Sequence, residues 1–99
     1  MTVFAVEYAY AENSTDLRDE HRPAHREYLG GFLGEGSVRL LASGPTPGSD
    51  GALLIFAAES QAALEDVLSN DPFQLVGGVG SATITEWNPV MGLLKEFAS

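Results

Sequence analysis

The sequence has no cysteine and only five Lys or Arg residues. The lack of cysteine excludes disulfide bonds, thiolate metal sites and a cysteine nucleophile. Fourteen Asp or Glu residues outweigh the five cations and give a formal net charge of −9. Such a surface repels nucleic-acid phosphates and anionic membranes. No apolar run approaches the roughly 20 residues of a membrane-spanning helix. We therefore expect no nucleic-acid partner and no membrane association.

Length and composition predict a single globular domain over residues 1–99. Hydrophobic residues make up 44% of the chain and charged residues 19%. Disorder requires low hydrophobicity together with high charge, and this composition has neither. The opening segment MTVFAVEYAY has no basic leader and already contains Glu7, which is unlike a signal peptide. We expect a cytoplasmic protein.

The pattern of apolar and turn residues predicts four strands and two main helices. β-Branched and aromatic segments predict the strands at 2–10, 37–43, 52–58 and 82–88. A short helical turn at 17–22 is expected to precede a helix over 23–35, because apolar residues recur at three- and four-residue steps after Pro23 and proline suits a first helical turn. Ser60 is a suitable N-cap for a helix over 61–69. The order β-α-β-β-α-β is that of the α+β ferredoxin-like fold, a four-stranded antiparallel sheet with helices on one face.

The strands are too apolar for a sheet that has one face in water. ALLIFAA, at 52–58, has no polar residue, whereas a half-exposed strand should alternate. One domain of this size has nothing left with which to cover a second face. We therefore expect a homodimer in which the two sheets pack face to face about a two-fold axis.

Both histidines and three of the five cations lie within residues 18–26. His25 is a candidate for acid–base chemistry, because imidazole titrates near neutral pH, although this feature alone favours an exposed or N-terminal helix histidine. His21 lies four residues earlier, a spacing that could hold a metal on one helix face, but Pro23 argues against a continuous helix and no third ligand stands out. Arg18 and Arg26 are interpreted as solvated; Arg22 either shares that role or binds a substrate carboxylate.

Two further elements could contribute to a cleft. Asp71 precedes a proline and is a suitable N-cap, yet its second carboxylate oxygen could orient an imidazole. Ser43 precedes Gly44 and Pro45, which are primarily turn residues. The Ser43 hydroxyl could nevertheless face a cleft at the edge of the sheet. No nucleophile elbow surrounds Ser43, and the glycines at 77, 78 and 80 do not form a phosphate loop. We expect no cofactor and no metal.

Several short motifs occur in an order that resembles the YciI-like (YCII-related) family of small bacterial proteins. They are Arg22-Pro23-Ala24-His25, Tyr28-Leu29, Gly36 before a strand, Ser43-Gly44-Pro45 and Asp71-Pro72-Phe73. The resemblance implies a ferredoxin-like fold and a dimeric α+β barrel. It also implies a dyad of His25 and Asp71 in a cleft lined by Ser43. We further predict Arg22 and Phe73 as substrate-binding residues.

Three functions remain open on these observations. The first is a small cofactor-independent enzyme of lyase or isomerase type, in which His25 moves a proton on a small cyclic or carboxylated substrate. The second is a non-catalytic dimeric module that binds a small ligand or serves a partner, since fold does not determine function. The third, by analogy of fold only, is a monooxygenase.

Overall fold

The chain folds as a four-stranded antiparallel sheet that carries its helices on one face. The computed structural model describes residues 1–99. The strands and helices are, in order, β1 (Thr2–Tyr10), α1 (Thr15–Gly30), β2 (Val38–Pro45), β3 (Gly51–Ala58), α2 (Gln61–Ser69), α3 (Pro72–Leu75) and β4 (Val79–Glu86). The strand order is β2-β3-β1-β4, and all neighbours are antiparallel. The predicted ferredoxin-like fold is confirmed.

The main core lies between the sheet and the helices. On β1, alternate residues Phe4, Val6 and Tyr8 are buried, whereas Glu7 between them is exposed, as expected for a strand with two different faces. These side chains share one cluster with Leu64 of α2. The alternation of β1 therefore decides which of its residues can reach a site beneath the helices.

The first helix differs from its prediction at both ends. α1 is one continuous helix from Thr15 to Gly30, and Pro23 lies in its interior. Proline has no N–H to donate to the carbonyl of Asp19 four residues earlier, which ordinarily costs about 3 kcal/mol. Packing offsets this cost, because Leu29 enters the main core. The tyrosine beside it, Tyr28, donates its hydroxyl to the Val67 carbonyl oxygen of α2 at 2.6 Å.

The other helices follow their local capping signals. Ser60 accepts a hydrogen bond from the Ala63 N–H at 3.1 Å, as its N-cap role predicts. Asp71 caps α3 and Pro72 occupies its first turn. β4 begins at Val79, three residues before the predicted position of 82, because Gly80 belongs to a bulge opposite Ala9 and Tyr10 rather than to a connection.

The face of the sheet opposite the helices has a smaller apolar cluster. Val3, Ile55 and Ala57 are buried there. The segment after β4 crosses this face, and Leu94 and Phe97 pack on the cluster, the latter in a 3₁₀ turn at Lys95–Phe97. The chain thus covers one part of its own second face. No helix combines the length and the apolar character that crossing a membrane would require.

Candidate functional site

A cavity of about 430 Å³ lies between α1, α3 and the adjoining ends of the strands. Its walls combine aliphatic and aromatic side chains with cationic groups, and no Asp or Glu lines it. A volume of this size suits a small organic molecule. The residues at its walls that bear on chemistry are Tyr10, Arg18, Arg22, His25, Arg26, Ser43 and Phe73.

Asp71 lies directly behind the cavity wall and has no exposed surface. Its Oδ1 accepts the Phe73 N–H at 3.0 Å, which is the N-cap bond of α3. Its Oδ2 accepts the Tyr8 hydroxyl at 2.8 Å. A buried carboxylate needs several donors to be stable. The local cap supplies one donor, and β1 supplies another from 63 residues away in the sequence.

His25 supplies the third hydrogen bond to this carboxylate. Its Nδ1 lies 2.7 Å from Asp71 Oδ1, and its side chain is 15% exposed. Tyr8 and Phe73 already donate to Asp71, and a carboxylate oxygen accepts. Nδ1–H is therefore the donor in the pair. Nε2, the other ring nitrogen, has no hydrogen-bond partner in the protein, and the His25 side chain lines the cavity.

Phe73 holds the imidazole plane. The two rings are stacked, with centroids 3.8 Å apart and planes 1° from parallel. Phe73 is itself buried and is placed by the short helix that Asp71 caps. The Asp71-Pro72-Phe73 motif thus places a hydrogen-bond acceptor at the edge of the His25 ring and an apolar plane against its face.

Tyr8 belongs to the same network and was not predicted as a site residue. Burial, and then the negative charge of Asp71, raises the pKa of the Tyr8 phenol well above its ordinary value. The phenol therefore stays protonated and remains a donor. Its signal in the sequence was the alternation of β1, which places Tyr8 on the same face as Phe4 and Val6, under the helices.

Ser43 reaches the cavity because of a bulge in β2. Val38 and Leu40 are buried toward the helices, so strict alternation would turn Ser43 to the opposite face. The register shifts between Leu40 and Ala42, and Ser43 then pairs with Leu54, a residue of the main core. A bulge re-aims the side chains that follow it, and here it brings the Ser43 hydroxyl to the cavity wall.

Arg22 lies at the cavity rim and is already paired. Its Nη1 bonds to the Asp19 carboxylate one helical turn earlier, and its side chain is 33% exposed. The guanidinium carbon is 5.9 Å from the centre of the Phe73 ring. Arg22 is therefore close to the cavity but partly neutralised.

The structure contradicts the interpretation of Arg18 as a solvated residue. It is only 7% exposed and lines the cavity. The reason is the continuous helix: Arg18, Arg22, His25 and Leu29 recur at four- and three-residue steps and share one face of α1. The sequence-based prediction began the helix at Pro23, so it did not place Arg18 on the same helix face as His25.

His21 does not join the site. It lies on α1, partly exposed, and is absent from the cavity wall. The continuity of α1 removes the objection based on Pro23 to a shared face with His25. Even so, no group of three or more His, Asp or Glu side chains is arranged to hold a metal ion.

Several solved structures share this fold, including the three that follow. 5-Chloro-2-hydroxyhydroquinone dehydrochlorinase (TftG) from Burkholderia phenoliruptrix AC1100, in complex with 2,5-dihydroxybenzoquinone, is similar at 24% identity and a TM-score of 0.77, over 87% of this chain and 93% of that one. An uncharacterized NIPSNAP domain protein from Burkholderia xenovorans is similar at 12% identity and a TM-score of 0.55, over 90% and 94%. Protein Atu4242 from Agrobacterium tumefaciens is similar at 12% identity and a TM-score of 0.56, over 90% and 93%.

At these identities the likeness establishes the fold alone. No functionally curated protein matches the chain. The YCII-related domain, by contrast, matches residues 2–88. That range spans all four strands and the whole wall of the cavity. The chain therefore belongs to the YCII-related domain family.

Proposed function

We propose that this protein is a small enzyme in which His25 moves a proton on a small cyclic or carboxylated substrate, in lyase or isomerase chemistry. The observation that carries the proposal is the bond between His25 Nδ1 and the fully buried Asp71, 2.7 Å long, at the wall of an open cavity. An imidazole held in this way has a fixed tautomer and one free nitrogen, which is what a general base requires.

In this proposal His25 Nε2 accepts a proton from the substrate, and Asp71 stabilises the imidazolium that forms. In a lyase, the electron pair of the broken C–H bond becomes the new double bond while the leaving group departs with its own bonding pair. In an isomerase, His25 returns the same proton to a different atom of the substrate. Asp71 does not contact the substrate and is a positioning residue.

The remaining predicted site residues take supporting roles in the proposal. The Ser43 hydroxyl can donate to or accept from a substrate oxygen at the wall opposite α1. Phe73 keeps the imidazole in plane and forms part of the apolar wall. Arg22, paired with Asp19, lies at the entrance, where it contributes to attraction of an anion more than to a direct bond.

The fold neighbour TftG gives the proposal a chemical example. It is described as a dehydrochlorinase, and its structure contains 2,5-dihydroxybenzoquinone. Removal of HCl is a lyase reaction, and a dihydroxyquinone is a small cyclic molecule. Hydroxylated rings and cyclic ketones are therefore the first substrates to screen with this protein.

The test compares the only two histidines of the chain. Candidates are screened with wild-type protein for chloride release from chlorinated hydroxyhydroquinones and for deuterium uptake from solvent by cyclic ketones. His25→Asn should lower turnover roughly 10²–10⁴-fold, the usual contribution of a general base. His21→Asn, on the same helix but away from the cavity, is the matched control and should keep the wild-type rate. Full turnover by His25→Asn would contradict the proposal.

The alternative is a non-catalytic module that holds a small ligand in the same cavity. It predicts ligand binding without turnover throughout the screen. The His25–Asp71 contact favours the enzyme, because a binding module has no need of a buried carboxylate that orients a cavity imidazole.

We also propose that the protein is a homodimer joined through the sheet face opposite the helices. Val3 and Ile55 on this face are already buried within the chain, whereas Leu53 beside them remains 40% exposed. The segment after β4 covers only the part of the face around Leu94 and Phe97. A second copy would cover the rest, as in the dimeric α+β barrels that the family resemblance implies.

A further inference from the structure

Arg18 is a buried cation that has no anionic partner in the protein. Its side chain is 7% exposed, and no carboxylate lies within ion-pair distance of it. Its Nε donates to Ser14 Oγ at 2.9 Å and its Nη2 to Thr15 Oγ1 at 3.4 Å, while Nη1 has no protein acceptor. A buried charge is costly unless it is paired. The partner of Arg18 is therefore expected to come from outside the chain.

The other cationic groups of the cavity do not show the same deficit. Arg22 is paired with Asp19, and Arg26 is exposed, so water compensates its charge. His25 is bonded to Asp71. Only Arg18 combines burial, a donor without a protein acceptor and a place on the cavity wall.

The charge of the cavity is opposite to the charge of the molecule. The chain has a formal net charge of −9. Three of its five Lys or Arg side chains nevertheless line this cavity, and none of its fourteen Asp or Glu side chains does. An apolar pocket that concentrates positive charge favours small anions over neutral molecules of the same shape.

The Arg18 guanidinium is also held in one orientation. Its Cζ lies 3.8 Å from the centre of the Tyr10 ring. The chain approaches so closely at Gly78 that a Cβ there would come within 2.9 Å of Arg18 Cγ. Such a planar, pre-oriented guanidinium can form two parallel bonds to a carboxylate, or one short bond to a phenolate oxygen.

Resting on the proposed function, we propose that Arg18 binds the anionic group of the substrate, and that the substrate is a small ring bearing a carboxylate or an ionised hydroxyl. The anion meets Arg18 beside Tyr10, while the ring extends across the apolar wall toward His25. The role suggested by the sequence for Arg22 then belongs to Arg18, one turn earlier on the same face of α1.

Benzoate and benzamide provide the test, because they have the same ring and differ in charge. Affinities are measured by calorimetry or NMR titration at pH 7. Wild type should bind benzoate about tenfold more tightly or better, as expected for a charge-assisted pair. Arg18→Gln should bring the ratio of the two affinities close to one. Arg18→Lys keeps the charge without the planar fork and should show an intermediate ratio. Arg22→Gln should change the ratio less than about threefold.

Two outcomes would overturn the inference. The first is that wild-type protein binds benzoate no more tightly than benzamide, or binds neither. This outcome can be observed with wild type alone. The other is an Arg18→Gln protein, shown by circular dichroism to be folded, that keeps the wild-type preference. His25→Asn separates this inference from the proposed function, because it should lose turnover and keep the preference for benzoate.

Discussion

Asp71 is the residue that joins the elements around the cavity. Its carboxylate accepts hydrogen bonds from Phe73 on α3, Tyr8 on β1 and His25 on α1. One of the three donors is local, and the other two come from residues 63 and 46 positions away. The same contacts serve stability and the proposed chemistry, since the buried carboxylate that orients His25 is also the acceptor that Tyr8 needs.

Tyr8→Phe tests this network. The substitution removes one donor from a buried carboxylate and should lower the free energy of unfolding by about 1–3 kcal/mol near neutral pH. The apolar contacts of the ring are retained, so the loss reports on the hydroxyl. Urea unfolding of wild type and Tyr8→Phe at pH 7 provides the measurement, and equal stabilities would contradict the role given to this bond.

The pH dependence of the same pair has a definite sign. Burial and then Asp71 raise the pKa of Tyr8 above its ordinary value of 10.0, so above about pH 10 the folded state binds one more proton than the unfolded state. The contribution of Tyr8 to the free energy of unfolding is fully present below pH 10, and it is lost as the pH rises further. The slope from this group is at most about 1.4 kcal/mol per pH unit.

Tyr8→Phe lacks the phenol hydroxyl, so its free energy of unfolding should fall less steeply above pH 10 than that of wild type. The difference in free energy of unfolding between wild type and Tyr8→Phe should be constant from pH 6 to pH 9 and should be smaller at pH 11. Unfolding in urea across this range measures it. A difference that stays constant up to pH 11 would mean that the folded environment does not retain the Tyr8 proton.

Among the elements, α1 and β2 decide what faces the cavity. The continuous α1 places Arg18 and His25 on one face, and the bulge in β2 turns Ser43 to the same space. Both features break a local rule: a proline inside a helix and a strand that does not alternate. Such departures are expected where function takes precedence over regular geometry.

The pairing of β1 with β3 is tight at Gly51. A Cβ at this position would lie 2.2 Å from the Tyr8 carbonyl oxygen, so Gly51→Ala must push the two strands apart and move Tyr8. We expect a loss of about 1–3 kcal/mol in the free energy of unfolding, typical of overpacking. Gly44→Ala is the control, because a Cβ there meets no atom within 4 Å. It should cost no stability, and a comparable loss in both variants would contradict the argument.

For the whole molecule, the part of the second sheet face that stays exposed leads to a prediction about assembly. Leu53 is 40% exposed on the proposed dimer face, whereas Leu75 is 67% exposed on α3. Leu53→Asp places a charge in the proposed interface and should shift the protein toward monomer. Leu75→Asp introduces the same charge elsewhere and should leave assembly unchanged. Analytical ultracentrifugation at micromolar concentration measures both, and a well-folded wild-type monomer there would contradict the dimer.

Much of the fold could be predicted because its signals are local. The Ser60 cap, the Asp71-Pro72 helix start and the apolar strands each depend on residues close together in sequence. The boundaries of α1 could not be predicted in this way. Pro23 signals a helix start by its own preference. Tertiary contacts of α1, among them the packing of Leu29 and the Tyr28–Val67 bond, favour a helix that continues through it.

The sequence by itself determined the order of elements, the family and the candidate pair His25 and Asp71, because these depend on local propensity and on motifs. Only the tertiary structure decided that Tyr8 completes the hydrogen bonds of Asp71, that Arg18 is buried without a counter-ion, and that Ser43 faces the cavity. Each of these features is a contact or a buried position that forms only when separate elements pack together. The residues next to it in the sequence do not indicate it. The strength of a buried charge or hydrogen bond depends on that packing, and so does the chemistry proposed for the cavity.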